Sequence, residues 1–173
     1  ENRVQEAKAK IPQLQGNFTF HLVGHLQSNK AKDAVRLFEC IHSIDKISTA
    51  IEVDKEAKKI NKIQNILIEV NTSGEPSKFG VEPEKAVELC KAIRDLQNVT
   101  CTGLMTVGPL TEDRNKIRDA FKQLRHLKEE INQTLGISLQ ELSMGMSGDF
   151  DIAIEEGATM LRIGTAIFGQ RIS

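Results

Sequence analysis

A short apolar run followed by a longer, charged segment recurs six times along this chain, and that alternation limits the fold more than any other feature. The runs cover residues 19–24, 40–44, 65–71, 99–107, 139–144 and 160–163. Helical segments are predicted over 28–39, 46–61, 83–97, 113–135 and 150–156. Pro83 suits a helix start, where its missing N–H costs nothing, and Gly136 suits a C-cap. The runs show little apolar–polar alternation, as strands buried on both faces do. Strand–helix alternation of this kind implies right-handed βαβ units and a parallel sheet.

Two architectures satisfy that pattern: an open doubly wound sheet and a (β/α) barrel. No G-x-G-x-x-G follows the first run, which weakens a dinucleotide-binding reading. Six units of about 28 residues resemble a barrel lacking its first quarter, because eight units usually need roughly 250 residues. No linker, low-complexity tract or solenoid repeat interrupts the chain, so residues 1–173 read as one domain.

Composition then removes function classes. With 23 basic and 24 acidic side chains the formal charge is −1, so nothing draws the chain generally toward nucleic acid. No apolar run approaches the roughly 20 residues of a membrane span. The three cysteines, Cys40, Cys90 and Cys101, include no C-x-x-C pair, which fits a reducing, cytoplasmic setting. There is no tyrosine, so none can serve as acid or base.

The last thirty residues carry the clearest chemistry. Residues 143–149, Ser-Met-Gly-Met-Ser-Gly-Asp, follow one run and open a helix, while residues 162–169, Arg-Ile-Gly-Thr-Ala-Ile-Phe-Gly, straddle the end of the next. Small residues let backbone N–H groups approach an anion, and the hydroxyls of Ser147 and Thr165 add donors. In barrels this position is the recurrent phosphate site. Arg162 stands inside an apolar run, where a buried cation needs either a ligand atom or a structural carboxylate. His21 and His25 flank the first strand's end without a cysteine or carboxylate at ligand spacing, so no metal site is expected. His42 and His126 read as structural or solvated, and Glu69 as an isolated carboxylate within the third run.

These motifs, in this order, resemble one family. Residues 21–30, residues 67–75 with 77–80, Gly103-Leu104-Met105, residues 142–149 and residues 162–169 are similar to the pyridoxal phosphate homeostasis proteins, a family that includes bacterial YggS. The opening Glu1-Asn2-Arg3-Val4-Gln5-Glu6 resembles that family's G-E-N-x-V-Q-E segment. The resemblance implies a (β/α)8 barrel of the alanine racemase N-terminal type, here without the first strand–helix unit and most of the second strand. It implies pyridoxal 5′-phosphate as cofactor, held in the family as a Schiff base on a lysine of the first strand in a V-S-K-T-like motif. That motif would lie upstream of Glu1, so no catalytic residue is assigned.

By the same resemblance Ser147, Gly164 and Thr165 would bind the phosphate, and Arg162 would face the pyridine nitrogen. His21 and Asn2 would line the ring's surroundings and Met144 the pocket wall. Alanine racemase-like enzymes share the barrel but add a β-domain and a tyrosine base, which the 173 residues do not supply. Cofactor buffering and delivery to apo-enzymes, by a monomer, is therefore expected ahead of racemase-like catalysis.

Overall fold

The computed structural model describes residues 1–75 and 77–169. Six parallel strands form a single sheet: β1 (His21–Leu22), β2 (Cys40–Ile44), β3 (Gln64–Glu69), β4 (Val99–Met105), β5 (Glu141–Met146) and β6 (Met160–Arg162). They hydrogen-bond in the order of the sequence, from β1 to β6, with no reversal. A doubly wound sheet needs a point where strand order turns back, so this topology decides for the barrel. Right-handed crossovers in one direction place every helix on one face.

The helices are α1 (Val4–Lys10), α2 (Ala31–Leu37), α3 (Ile47–Lys58), α4 (Ala86–Arg94), α5 (Arg114–Leu135), α6 (Phe150–Glu155) and α7 (Thr165–Phe168). From α1 to α6 each packs on the next, forming one continuous outer layer. The main core lies between that layer and the sheet. In α5 the buried positions Ile117, Phe121, Leu124, Leu127 and Ile131 recur at helical spacing on one stripe. Asp113 caps this helix by accepting from the N–H groups of Asn115 and Lys116, and Gly136 ends it at φ 61°.

A second, smaller cluster occupies the opposite, inner face: Cys40, Leu67 and Met105, with Val23, Val107 and Met160 against them. Burial on both faces explains why the strands do not alternate in sequence; every residue of β2 is buried.

The sequence reading did not include α1, a 3-10 turn over Ile11–Gln13, or α7. It also made β1 longer than its two residues. The opening of the chain supplies part of what β1 lacks. The Glu1 amine donates to His21 O at 2.8 Å and Val23 N donates to Glu1 O at 2.8 Å, one parallel rung along β1. Gly24 permits this contact, since a Cβ there would stand 2.0 Å from Asn2 O. Among the described residues β1 and β6 do not pair with each other.

Candidate functional site

The loops after β5 and β6 meet at one hydroxyl. Ser147 Oγ accepts from Gly164 N at 3.3 Å and from Ala166 N at 3.2 Å. The turn carrying Ser147 is held by Asp149, whose Oδ1 accepts from Met146 N at 2.6 Å. Tight packing beneath it requires Gly145, at φ 91°, where a Cβ would lie 2.5 Å from Ala153 Cβ. By contrast, open space surrounds Gly148 and Gly164. Two backbone donors, a hydroxyl and the start of α7 therefore converge on a small exposed cradle, the arrangement that binds a phosphate monoester. Thr165 opens α7 beside it.

Arg162 ends β6 and turns inward. Its Nη1 donates to Ser143 Oγ at 2.8 Å and its Nη2 to Thr106 O at 2.7 Å. No carboxylate forms an ion pair with it among the described residues; a hydroxyl and a carbonyl hold it instead. Burial pulls the guanidinium down to about 10, against the opposing charges of Asp149 and Glu69, so it remains cationic at neutral pH.

Beyond Ser143 the polar contacts continue across the inner face. Ser143 Oγ lies 2.9 Å from His42 Nδ1, and His42 Nε2 lies 3.0 Å from His21 Nδ1. A guanidinium only donates, so Ser143 Oγ accepts from Arg162 and its hydroxyl hydrogen is free for His42 Nδ1. In the tautomer that takes this hydrogen at Nδ1, His42 donates from Nε2 and His21 accepts at Nδ1. Burial, His21 and Arg162 push His42 down to about 3, and burial with the nearby amino terminus lowers His21 as well. Both rings are neutral at physiological pH. A chain of directed hydrogen bonds thus runs from Arg162 through β5 and β2 to β1.

At the mouth of the sheet stands a second polar group. Glu69, 5% exposed at the end of β3, leaves Oε2 without a hydrogen-bond partner. Burial and the neighbouring Asp45 raise its carboxyl to about 7, opposed by Arg162. His25 Nδ1 lies 3.8 Å from Asp45 Oδ2, and its ring stacks on Phe79 at 4.2 Å and 13°. Phe79 comes from the loop after β3, which is tied down by Lys78 Nζ donating to Gly108 O at 2.9 Å.

Of the residues singled out in the sequence, Ser147, Gly164 and Thr165 lie together at the cradle, with Arg162 ending the strand that leads to it. His21 joins them through His42 and Ser143. Asn2 is exposed, and its backbone carbonyl packs on Gly24. Met144 is placed otherwise: it is fully buried in the main core on the helix side, because neighbouring strand residues face opposite ways and Ser143 takes the inner face. It does not line the inner surface. The sequence reading assigned no site role to His42, Ser143, Cys40 or Thr106; the available signal was a polar side chain inside a run otherwise apolar on both faces. Spacing along the chain pointed to no metal site, but across neighbouring strands three ligand-type side chains come together. His21, Cys40 and His42 bring their ligand atoms within 4.8 Å of one another, from strands nineteen residues apart in sequence at the paired positions His21 and Cys40.

Residues 1–172 match the family described as alanine racemase, N-terminal domain. A pyridoxal phosphate homeostasis protein of Aquifex aeolicus is 46% identical over 172 residues, covering 99% of this chain and 75% of the relative. Another from Synechocystis is 39% identical over 174 residues, covering 99% of this chain and 80% of the relative. This chain belongs to the pyridoxal phosphate homeostasis protein family. Among solved structures, PipY of Synechococcus elongatus with pyridoxal phosphate bound is 38% identical at a TM-score of 0.90, covering 97% of this chain and 79% of PipY. An alanine racemase of Clostridium difficile superposes at a TM-score of 0.82 with 14% identity, which establishes the shared barrel fold. Membership of the family fixes the architecture as the alanine racemase N-terminal type, of which the described residues form six strands. Among the described residues no helix is long and apolar enough to cross a membrane.

Proposed function

We propose that this chain binds pyridoxal 5′-phosphate through its phosphate and takes part in buffering and delivering that cofactor, without turning over amino acids. The observation that carries the reading is the convergence of Gly164 N and Ala166 N on Ser147 Oγ, beside open space at Gly148 and Gly164. An anionic oxygen seated there would take over donors that Ser147 now accepts from, at no cost in buried unpaired groups. PipY, at 38% identity, binds the same compound, which supports the assignment.

The residues present fit the group. Ser147, Gly164 and Thr165 would hold the phosphate, and Arg162 would present its cation to the ring nitrogen. The bound cofactor supplies a reactive aldehyde. A permanent cation at the ring nitrogen keeps that nitrogen from taking a proton, which weakens the ring as an electron sink. The fixing of Arg162 by Ser143 and Thr106 preserves that orientation. Among the described residues no lysine lies in any of the six strands. Asn2 and His21 would border the ring. Apo-enzymes that require the cofactor are the proposed recipients, and a monomer in the cytoplasm the proposed state.

Equilibrium dialysis of the purified chain tests the reading. Pyridoxal phosphate binds, pyridoxal lacking the phosphate binds at least tenfold more weakly, and Ser147→Ala weakens the phosphate form by about tenfold, or roughly 1.4 kcal/mol. Equal affinity for the two compounds sinks the phosphate cradle. Racemisation of alanine by the loaded protein sinks the non-catalytic role.

A further inference from the structure

The inner face of the sheet gathers three transition-metal ligands that the cofactor reading does not use together. We propose that His21 Nδ1, Cys40 Sγ and His42 Nε2 form a three-protein-ligand site for a zinc ion, with the fourth position open toward the inner face.

Strand geometry builds this site. His21 of β1 and Cys40 of β2 are partners in the parallel register, and His42 stands two residues beyond Cys40 on the same face of β2. The three ligand atoms lie within 4.8 Å of one another. His21 Nδ1 and His42 Nε2 are 3.0 Å apart. A tetrahedral zinc with bonds of about 2.0–2.3 Å requires ligand atoms roughly 3.3–3.8 Å apart. The imidazole pair needs to open by a few tenths of an ångström, and the thiol, at most 4.8 Å from either ring nitrogen, to close by no more than about one to come within that range.

The outer contacts also suit a metal. Histidine ligands are oriented by a hydrogen bond from the ring nitrogen that does not bind, and His42 Nδ1 meets Ser143 Oγ at 2.9 Å. Ser143 has lone pairs for both Arg162 and a His42 Nδ1–H. Metal binding therefore moves the His42 proton from Nε2 to Nδ1 and leaves Ser143 satisfied. The Cys40 thiol releases its proton to solvent, giving a site of net charge +1. Burial, with Glu141 and Glu39, pushes the Cys40 thiol up to about 12, so the ion itself must displace that proton; the two carboxylates favour the resulting positive site, while Arg162 and the amino terminus oppose it. Cys40 and His42 are 4% and 2% exposed, so water does not compete strongly for the bound ion. Two imidazoles and a thiolate select zinc over the hard cations magnesium and calcium.

Cobalt(II) serves as the spectroscopic probe, followed by zinc competition, on the cofactor-free chain. One equivalent of cobalt produces tetrahedral d–d bands and a thiolate-to-cobalt charge-transfer band, and zinc removes both. Cys40→Ser abolishes the charge-transfer band, while a Cys90→Ser, Cys101→Ser double variant retains it. Ser143→Ala weakens zinc binding by about 10- to 100-fold, as loss of an orienting contact does. Circular dichroism of each variant separates lost ligation from lost fold, and a zinc-induced rise in melting temperature of the unmodified chain gives an independent readout. A charge-transfer band that survives Cys40→Ser, or the absence of any thiolate band and thermal shift in the unmodified chain, overturns the proposal. Because the assay contains no pyridoxal phosphate, failure here leaves the phosphate cradle untouched.

Discussion

Arg162 and Glu69 show how single buried charges are handled differently on the same face. Arg162 is satisfied by a hydroxyl and a carbonyl and keeps its charge. Glu69 has an oxygen with no partner, lies near Asp45, and holds its proton to about pH 7. Its ordinary value is 4.5, so between about pH 4.5 and 7 the folded chain keeps a proton that the unfolded chain has lost. Stability contributed by this group therefore falls as pH rises through that window and is lost above it. Glu69→Gln removes the dependence. Urea unfolding of the two proteins from pH 4.5 to 8 shows the variant gaining on the parent by about 3 kcal/mol at the upper end. A difference that stays flat with pH would place the Glu69 titration outside the folding equilibrium.

Elements in this fold are defined as much by their neighbours as by their own residues. β1 is two residues long, yet it is covered on one side by β2 and on the other by the Glu1 rung. That rung depends on Gly24, whose absent side chain leaves room for Asn2 O. Gly24→Ala forces the opening segment away and costs about 1–3 kcal/mol, the usual effect of overpacking. The amide of Val23, which donates to Glu1 O, loses its protection in hydrogen exchange, while the amides of β3 and β4 keep theirs. Equal loss of protection in every strand would show instead that the substitution unfolds the sheet as a whole. By composition residues 19–24 read as one strand, with a helix beginning at Ser28. In the structure the strand itself covers His21–Leu22, and the rung to Glu1 carries backbone pairing on to Val23.

Across the whole molecule, the cradle and the directed hydrogen bonds join opposite margins of the sheet. Ser147 and Gly164 sit at the β5–β6 edge, and His21 at the β1 edge, with Arg162, Ser143 and His42 between them. A ligand that engages the cradle stabilises the fold by mass action, by about 2.7 kcal/mol at a concentration one hundred times its dissociation constant. Differential scanning calorimetry with pyridoxal phosphate in that excess shows a raised melting temperature, and the same excess of pyridoxal does not. A rise of equal size with both compounds would assign the stabilisation to the ring rather than the phosphate.

By itself the sequence determined the strand–helix alternation, the parallel sheet, the C-cap at Gly136, and the two loops that carry Ser147 and Gly164. These are local properties: apolar runs, turn residues and small side chains announce themselves within a few positions. The choice of barrel over doubly wound sheet waited on strand order, because helix placement is a consequence of how successive units close on one another. The inner-face constellation likewise belongs to the tertiary structure. His42, Cys40 and Ser143 look inert in isolation, and β2 lies about a hundred residues before β5 with β3 and β4 between them in the sheet, so only the curl of the sheet brings Ser143 against His42 across the inner face. The same pleat sends Met144, its neighbour, into the helix-facing core. Which face a strand residue occupies is fixed by pairing across the sheet, and no spacing within one strand buried on both sides records it.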